Sequence, residues 1–343
     1  MRLLSLLLLA ALPPVAAIAA PIPVRVAVVV TFDVNDKQTG THGEFSAWES
    51  REKWTRSVTV PGVDHPVLIG PDGVIGVVQG TTSRASIQLT LLILSGQFDF
   101  SHTYWLINGI AGADPAVASI GSAAWAHYVV DADVAYELDA RDGNAAWPYD
   151  IFPIGSQAPN TTPTPEGWEP SQMAYALNRH LVDWAFELTK RSPIPDTAAM
   201  QAYRARYVGF PNALRPPFVL TGETFGCNRY WHGPRLTKWA EDWTKLWTHG
   251  DGTFAMSDME DQGIAAALTR LGAMGKVDFQ RVLFLRTASN YCTPPPGGNI
   301  GDSLFHGFAG YNSSLESAYS VGSAVVHEIA QHWDKYADAT PGS

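Results

Sequence analysis

The chain has 343 residues, 46% of them hydrophobic and 16% charged, with a formal net charge of −10 and two cysteines. Those proportions suit a folded protein with a sizeable core, one large domain or two small ones, rather than a disordered or fibrous chain. An acidic surface offers no field for a polyanion, so a nucleic-acid polymer is excluded as the expected partner, whereas a small neutral ligand is not.

Met1-Arg2 opens the chain with a positive charge, residues 3–12 are mostly apolar, and Ala16, Ala17, Ala19 and Ala20 are small residues suited to cleavage. This pattern reads as a secretory signal over residues 1–20, leaving residues 21–343 as a secreted or periplasmic chain. No later stretch approaches the ~20 apolar residues that a membrane span needs. In an exported chain Cys227 and Cys292 can form a disulfide or stay separate thiols, and both readings stand.

Residues 24–31 are a nearly continuous β-branched run, the pattern of a strand buried on both faces. A second strand is expected at residues 74–78, then a helix over 83–95 with Ile87, Leu91 and Leu94 at helical spacing before Gly96. Tyr104-Trp-Leu-Ile-Asn108 reads as a strand running into a Gly109-Ile-Ala-Gly112 turn, and residues 121–138 as a turn and one long strand. Residues 153–171 hold five prolines, which predicts a surface loop within a single domain, and residues 172–190 read as a helix. The sheet restarts at 218–221. Residues 263–271 put Ile264, Ala267, Leu268 and Leu271 on one helix face with Gly272 as terminator, and 282–285 form another buried strand. The alternation favours an α/β sandwich, whose ligands collect outside the carboxyl ends of the strands.

Several short segments concentrate glycines and hydrogen-bonding side chains at those ends: Ile107-Asn-Gly-Ile-Ala-Gly-Ala-Asp-Pro115, Tyr136-Glu-Leu-Asp-Ala-Arg141, Arg229-Tyr-Trp-His-Gly233, Ser257-Asp-Met-Glu-Asp-Gln-Gly263, Arg286-Thr-Ala-Ser-Asn-Tyr291 and Glu316-Ser-Ala-Tyr319. As an ordered set over nearly the whole mature chain they resemble the purine nucleoside permease family, which is related to nucleoside phosphorylases and nucleosidases. The resemblance implies a three-layer α/β/α sandwich around a mixed twisted sheet, a purine nucleoside as ligand, no metal, no cofactor, and phosphate open as a co-substrate. A homo-oligomer is compatible with it.

Cleaving an N-ribosyl bond requires a fixed ribose, a stabilised departing base and a nucleophile held beneath the anomeric carbon. The resemblance puts Glu260 on the sugar hydroxyls, with Met259 against the sugar face or simply in the core. It puts Ser289 and Asn290 against the base, where many relatives carry an aspartate; an amide hydrogen-bonds but supplies no proton. Tyr230 and Trp231 offer aromatic faces to a purine, and His232 a hydrogen bond or a proton shuttle. Glu44 resembles the glutamate that positions water in nucleosidases, or else sits exposed in the first turn of a helix.

Phosphorylases of that superfamily place an arginine where Ile107 stands here. Asn108, Gly109 and Gly112 resemble the turn of hydrolytic nucleosidases instead, and the glycines admit a ligand to backbone amides. Arg286 or Arg84 either replaces the missing charge or forms a structural ion pair. His327 and His332 are five residues apart, which on a helix swings the second ~100° beyond the four-residue spacing of a zinc-protease pair. The expected function is cleavage of purine nucleosides to base and sugar by hydrolysis or phosphorolysis, with a non-catalytic nucleoside-binding role in transport as the alternative.

Overall fold

The computed structural model describes residues 20–33, 42–163 and 172–342. The expected signal segment up to residue 19 and residues 164–171 of the proline-rich loop lie outside the described residues. The chain folds as a mixed α/β protein on a 12-stranded sheet, with strands parallel and antiparallel. Val26–Val30, next to the middle strand, is buried at every position and paired in parallel with Val74–Val78 on one side and Tyr104–Ala113 on the other. Two-sided burial is what a continuous valine run demands.

Tyr104–Ala113 is the organising strand. Along its length it pairs in parallel with Val282–Tyr291, and near its end Gly112 and Ala113 pair antiparallel with Ser257 and Met256 of Phe254–Asp258. The expected turn at 108–112 is therefore a strand: the glycines give access within a ladder and do not end it. Facing side chains alternate along such a strand. Asn108 points to one layer, donating to the Ala318 carbonyl of the helix Tyr311–Gln331. Arg286, paired with the next residue, Gly109, points to the other layer and the helix Asp261–Ala273. Helices on both faces of the sheet make three layers.

Four further expectations change. Residues 121–138 form three short strands, Ala123–Trp125, Tyr128–Asp131 and Ala135–Glu137, because they join different partners. Residues 172–190 split into an edge strand, Ala174–Ala176, and a helix, Arg179–Thr189, separated at Asn178, whose side chain caps the helix. Gly272 lies inside its helix, which ends at Ala273, and Gly275 takes the left-handed conformation that closes it. On the helix Ser83–Leu94, Ala85, Leu89, Leu92 and Ile93 are buried while Ile87, Leu91 and Leu94 face outward. Cys227 and Cys292 are both free thiols, buried in a cluster with Phe225, Trp231, Trp239 and Phe254. Among the described residues no helix is long and apolar enough to cross a membrane.

Candidate functional site

The strands Val26–Val30, Tyr104–Ala113, Phe254–Asp258 and Val282–Tyr291 deliver their carboxyl-terminal residues to one cavity, about 700 Å³ of space counted out through its open mouth. Its wall includes Thr31, Glu44, Gly112, Tyr230, Trp231, Met259, Glu260, Ser289, Asn290 and Phe308. A larger hollow of about 1350 Å³ borders residues at the opposite, amino-terminal ends of the strands, including Arg25, Gly73 and His102, and holds none of these groups. Position at the carboxyl ends decides for the smaller one.

One end of the cavity is built from carboxylates. Glu44, 3% exposed, is no surface glutamate: Oε2 accepts from the Thr31 amide at 2.9 Å and the Thr31 hydroxyl at 2.7 Å, and Oε1 accepts from the Ile110 amide at 2.7 Å. Glu260 stands just before the helix Asp261–Ala273, with Oε1 2.9 Å from Arg286 and 3.2 Å from the same Thr31 hydroxyl. Thr31, the first polar residue after the valine run, thus sits between the two carboxylates. Asp258 fixes the local backbone by accepting from the amides of Glu260 at 3.0 Å and Asp261 at 2.7 Å, in the manner of a helix cap.

Beneath them Arg286, 1% exposed, is engaged by Asp261 through Nε at 3.0 Å and through Nη2, by Glu260, and by Glu44 at 3.5 Å. Gly109 makes this possible, since a Cβ there would lie 2.2 Å from Glu44 Oε1 and 2.3 Å from Arg286 Nη1. Several buried acids share one guanidinium, and the cluster holds protons accordingly. Burial, reinforced by the neighbouring carboxylates against the pull of Arg286, pushes Glu260 well above the usual carboxylate range. Burial likewise raises Asp261 to about 7. Glu260 thus holds its proton more firmly than a plain ionised ribose clamp would.

The other end is aromatic and amide-lined. Along Val282–Tyr291 the register slips between Ala288 and Asn290, a bulge that breaks the alternation and presents both Ser289 and Asn290 to the cavity. Asn290 Nδ2 donates to the Tyr230 hydroxyl at 3.1 Å and to the Tyr291 carbonyl at 3.2 Å, while Oδ1 lies 2.8 Å from the Ser289 hydroxyl. Trp231 packs edge-on against Phe225 and Trp239, so it is at once core and cavity wall.

The structure brings Glu44, Gly112, Tyr230, Trp231, Met259, Glu260, Ser289 and Asn290 together around the cavity. It places others elsewhere. Asn108 is turned to the opposite face, accepting from the Trp48 indole at 3.1 Å. Arg286 is not available as a phosphate anchor, because carboxylates occupy it. His232 is absent from the cavity wall; both its ring nitrogens are buried without a partner, and burial lowers its pKa. Arg84 is absent from the wall too, and among the described residues no cluster of His, Cys, Asp and Glu could hold a metal. Thr31 and Asp261 were missed as site residues; the first polar residue after a buried strand, and an acid beside Glu260, were the available signals.

The mixed sheet with helices on both faces has the nucleoside phosphorylase and nucleosidase fold. Solved structures agree: the 5'-methylthioadenosine/S-adenosylhomocysteine nucleosidase of Neisseria meningitidis superposes with a TM-score of 0.51 at 11% identity, over 89% of this chain and 99% of that one. The futalosine hydrolase of Helicobacter pylori gives 0.52 at 15% identity, over 89% and 98%. The profile of the family described as purine nucleoside permease matches residues 23–341, and the chain belongs to that family. A purine nucleoside permease of Candida albicans is 28% identical over 304 residues, covering 85% of this chain and 73% of that protein. A probable purine nucleoside permease of Schizosaccharomyces pombe is 30% identical over 260 residues, covering 73% and 74%.

Proposed function

We propose that the protein binds purine nucleosides and cleaves their N-ribosyl bond by hydrolysis. The observation that carries this reading is the pair of buried carboxylates, Glu44 and Glu260, that meet at the Thr31 hydroxyl inside one cavity. Glu260 holds the ribose hydroxyls and Met259 lies against the sugar. Glu44 orients a water molecule and takes its proton as the oxygen attacks the anomeric carbon. The aromatic and amide end takes the base. Neither a cofactor nor a metal has a part in this scheme.

Hydrolysis is favoured over phosphorolysis by charge. A phosphate entering here meets the Glu44 carboxylate, while Arg286 is held by Asp261, Glu260 and Glu44, and Arg229 at the cavity wall is paired with Glu137. The second reading, nucleoside binding without turnover in the service of transport, is favoured by the family description and by relatives named as permeases. Residues 1–20 are proposed as an export signal; a secreted chain beginning at Pro21 on amino-terminal sequencing supports that, and a retained Met1 contradicts it.

The test is Glu44→Gln, which keeps the shape and removes the base. Inosine binding, followed by calorimetry, stays within about threefold, while base release falls at least ~100-fold, the scale of a lost general base. An unchanged rate removes Glu44 from the mechanism, and a wild-type protein that binds inosine without releasing base favours the transport reading.

A further inference from the structure

We propose that Tyr230 donates the hydrogen bond that stabilises the departing purine at N7, and that Asn290 is a positioning residue that fixes the direction of this donor. The inference rests on the reading of the cavity as a purine nucleoside site. It follows from the polarity of the hydrogen bonds around Asn290. The Tyr291 carbonyl oxygen, 3.2 Å away, can only accept, so the nitrogen of the Asn290 amide must lie on that side. The Ser289 hydroxyl divides its one proton between Oδ1, 2.8 Å away, and the Ala111 carbonyl, 3.0 Å away, so the Tyr291 carbonyl alone sets this orientation.

An amide nitrogen cannot accept, so in its 3.1 Å contact with Asn290 the Tyr230 hydroxyl is the acceptor. Asn290 then has both N–H groups engaged. Tyr230 keeps its own O–H, and no hydrogen-bond acceptor for it is found among the described residues. Tyr230 is half exposed and both residues form the cavity wall, so the phenolic proton is the donor offered to a ligand there.

The chemistry of the leaving group says what that donor does. As the C1'–N9 bond breaks, its electron pair goes to the base and spreads through the imidazole ring, making N7 a better acceptor than in the intact nucleoside. A donor at N7 therefore binds the transition state more strongly than the ground state. A phenol is protonated at neutral pH and desolvation of this one shifts it further up, so Tyr230 keeps its proton and stabilises by hydrogen bonding. Water supplies hydroxide to C1' and a proton to Glu44, and the departing base takes its proton from solvent.

The experiment compares wild type and Tyr230→Phe on inosine and on 7-methylinosine, whose N7 is blocked and whose base leaves without needing a donor there. Removing one preorganised donor costs about 100-fold. The expected result is a fall of about 100-fold in kcat for inosine and less than about threefold for 7-methylinosine, with an unchanged melting curve. An equal fall on both substrates, or none on inosine, overturns the role of Tyr230 while leaving nucleoside cleavage intact. A wild-type protein that releases base from neither nucleoside overturns the functional reading and this role with it.

Discussion

Gly109→Ala isolates the geometry of the carboxylate end with a single methyl group. A Cβ at this position lies 2.2 Å from Glu44 Oε1 and 2.3 Å from Arg286 Nη1, where contacts below 3.0 Å are essentially never seen, so the carboxylate must retreat by at least 0.8 Å. Neither group is free to swing away. Glu44 is pinned by the Thr31 amide and hydroxyl and by the Ile110 amide, and Arg286 by Asp261. Overpacking of this kind costs about 1–3 kcal/mol, and a displacement of about 1 Å at a reacting group costs about 100-fold in rate. Gly109 lies within a strand, without a left-handed backbone, so the effect is steric. The assay is kcat/KM for inosine with a thermal melt, run beside Gly112→Ala, whose Cβ meets Asn290 Nδ2 at 3.2 Å, so that the amide need give by only a few tenths of an ångström. Gly109→Ala is expected to melt a few degrees lower and to lose about 100-fold in kcat/KM, with a smaller loss for Gly112→Ala. Wild-type melting and kcat/KM in Gly109→Ala would refute the packing argument.

Arg286→Met leaves Asp261, Glu260 and Glu44 buried without their guanidinium; the expected loss is about 3–5 kcal/mol, read by denaturant unfolding, and a variant as stable as wild type contradicts it. Stability should also fall as pH rises from about 4 to 7. Glu260 is raised well above its usual range and Asp261 and Glu223 to about 7, so the folded chain keeps protons that the unfolded chain has released. Each such group contributes up to about 1.4 kcal/mol per pH unit in that window, and a calorimetric melting temperature that is flat or rising between pH 5 and 7 contradicts the assignment.

Where one physical cause dominates, the sequence is legible. The valines of Val26–Val30 and the apolar face of Asp261–Ala273 declare themselves because burial alone sets their pattern. Gly109 and Gly112 mislead because glycine serves two ends: it breaks a chain, and it lets groups approach closely inside a strand, as Glu44 and Arg286 do here. Ile87, Leu91 and Leu94 mislead because a helix can carry apolar residues on its outer side as well as toward the sheet. Arg286 is recognisable as a charged residue in a motif, but only the fold shows that Asp261 and Glu260 occupy it. Asn108 and Gly109 are neighbours in the same motif, yet strand alternation sends them to opposite layers.

The most direct test of nucleoside hydrolysis is free purine released from inosine by residues 21–343, measured by chromatography in phosphate-free buffer and again with phosphate added. Hydrolysis at the Glu44 and Glu260 site predicts equal release of hypoxanthine in both buffers, with free ribose as the co-product. Release only when phosphate is present, with the sugar recovered as its phosphate, or tight inosine binding with no release in either buffer, contradicts it.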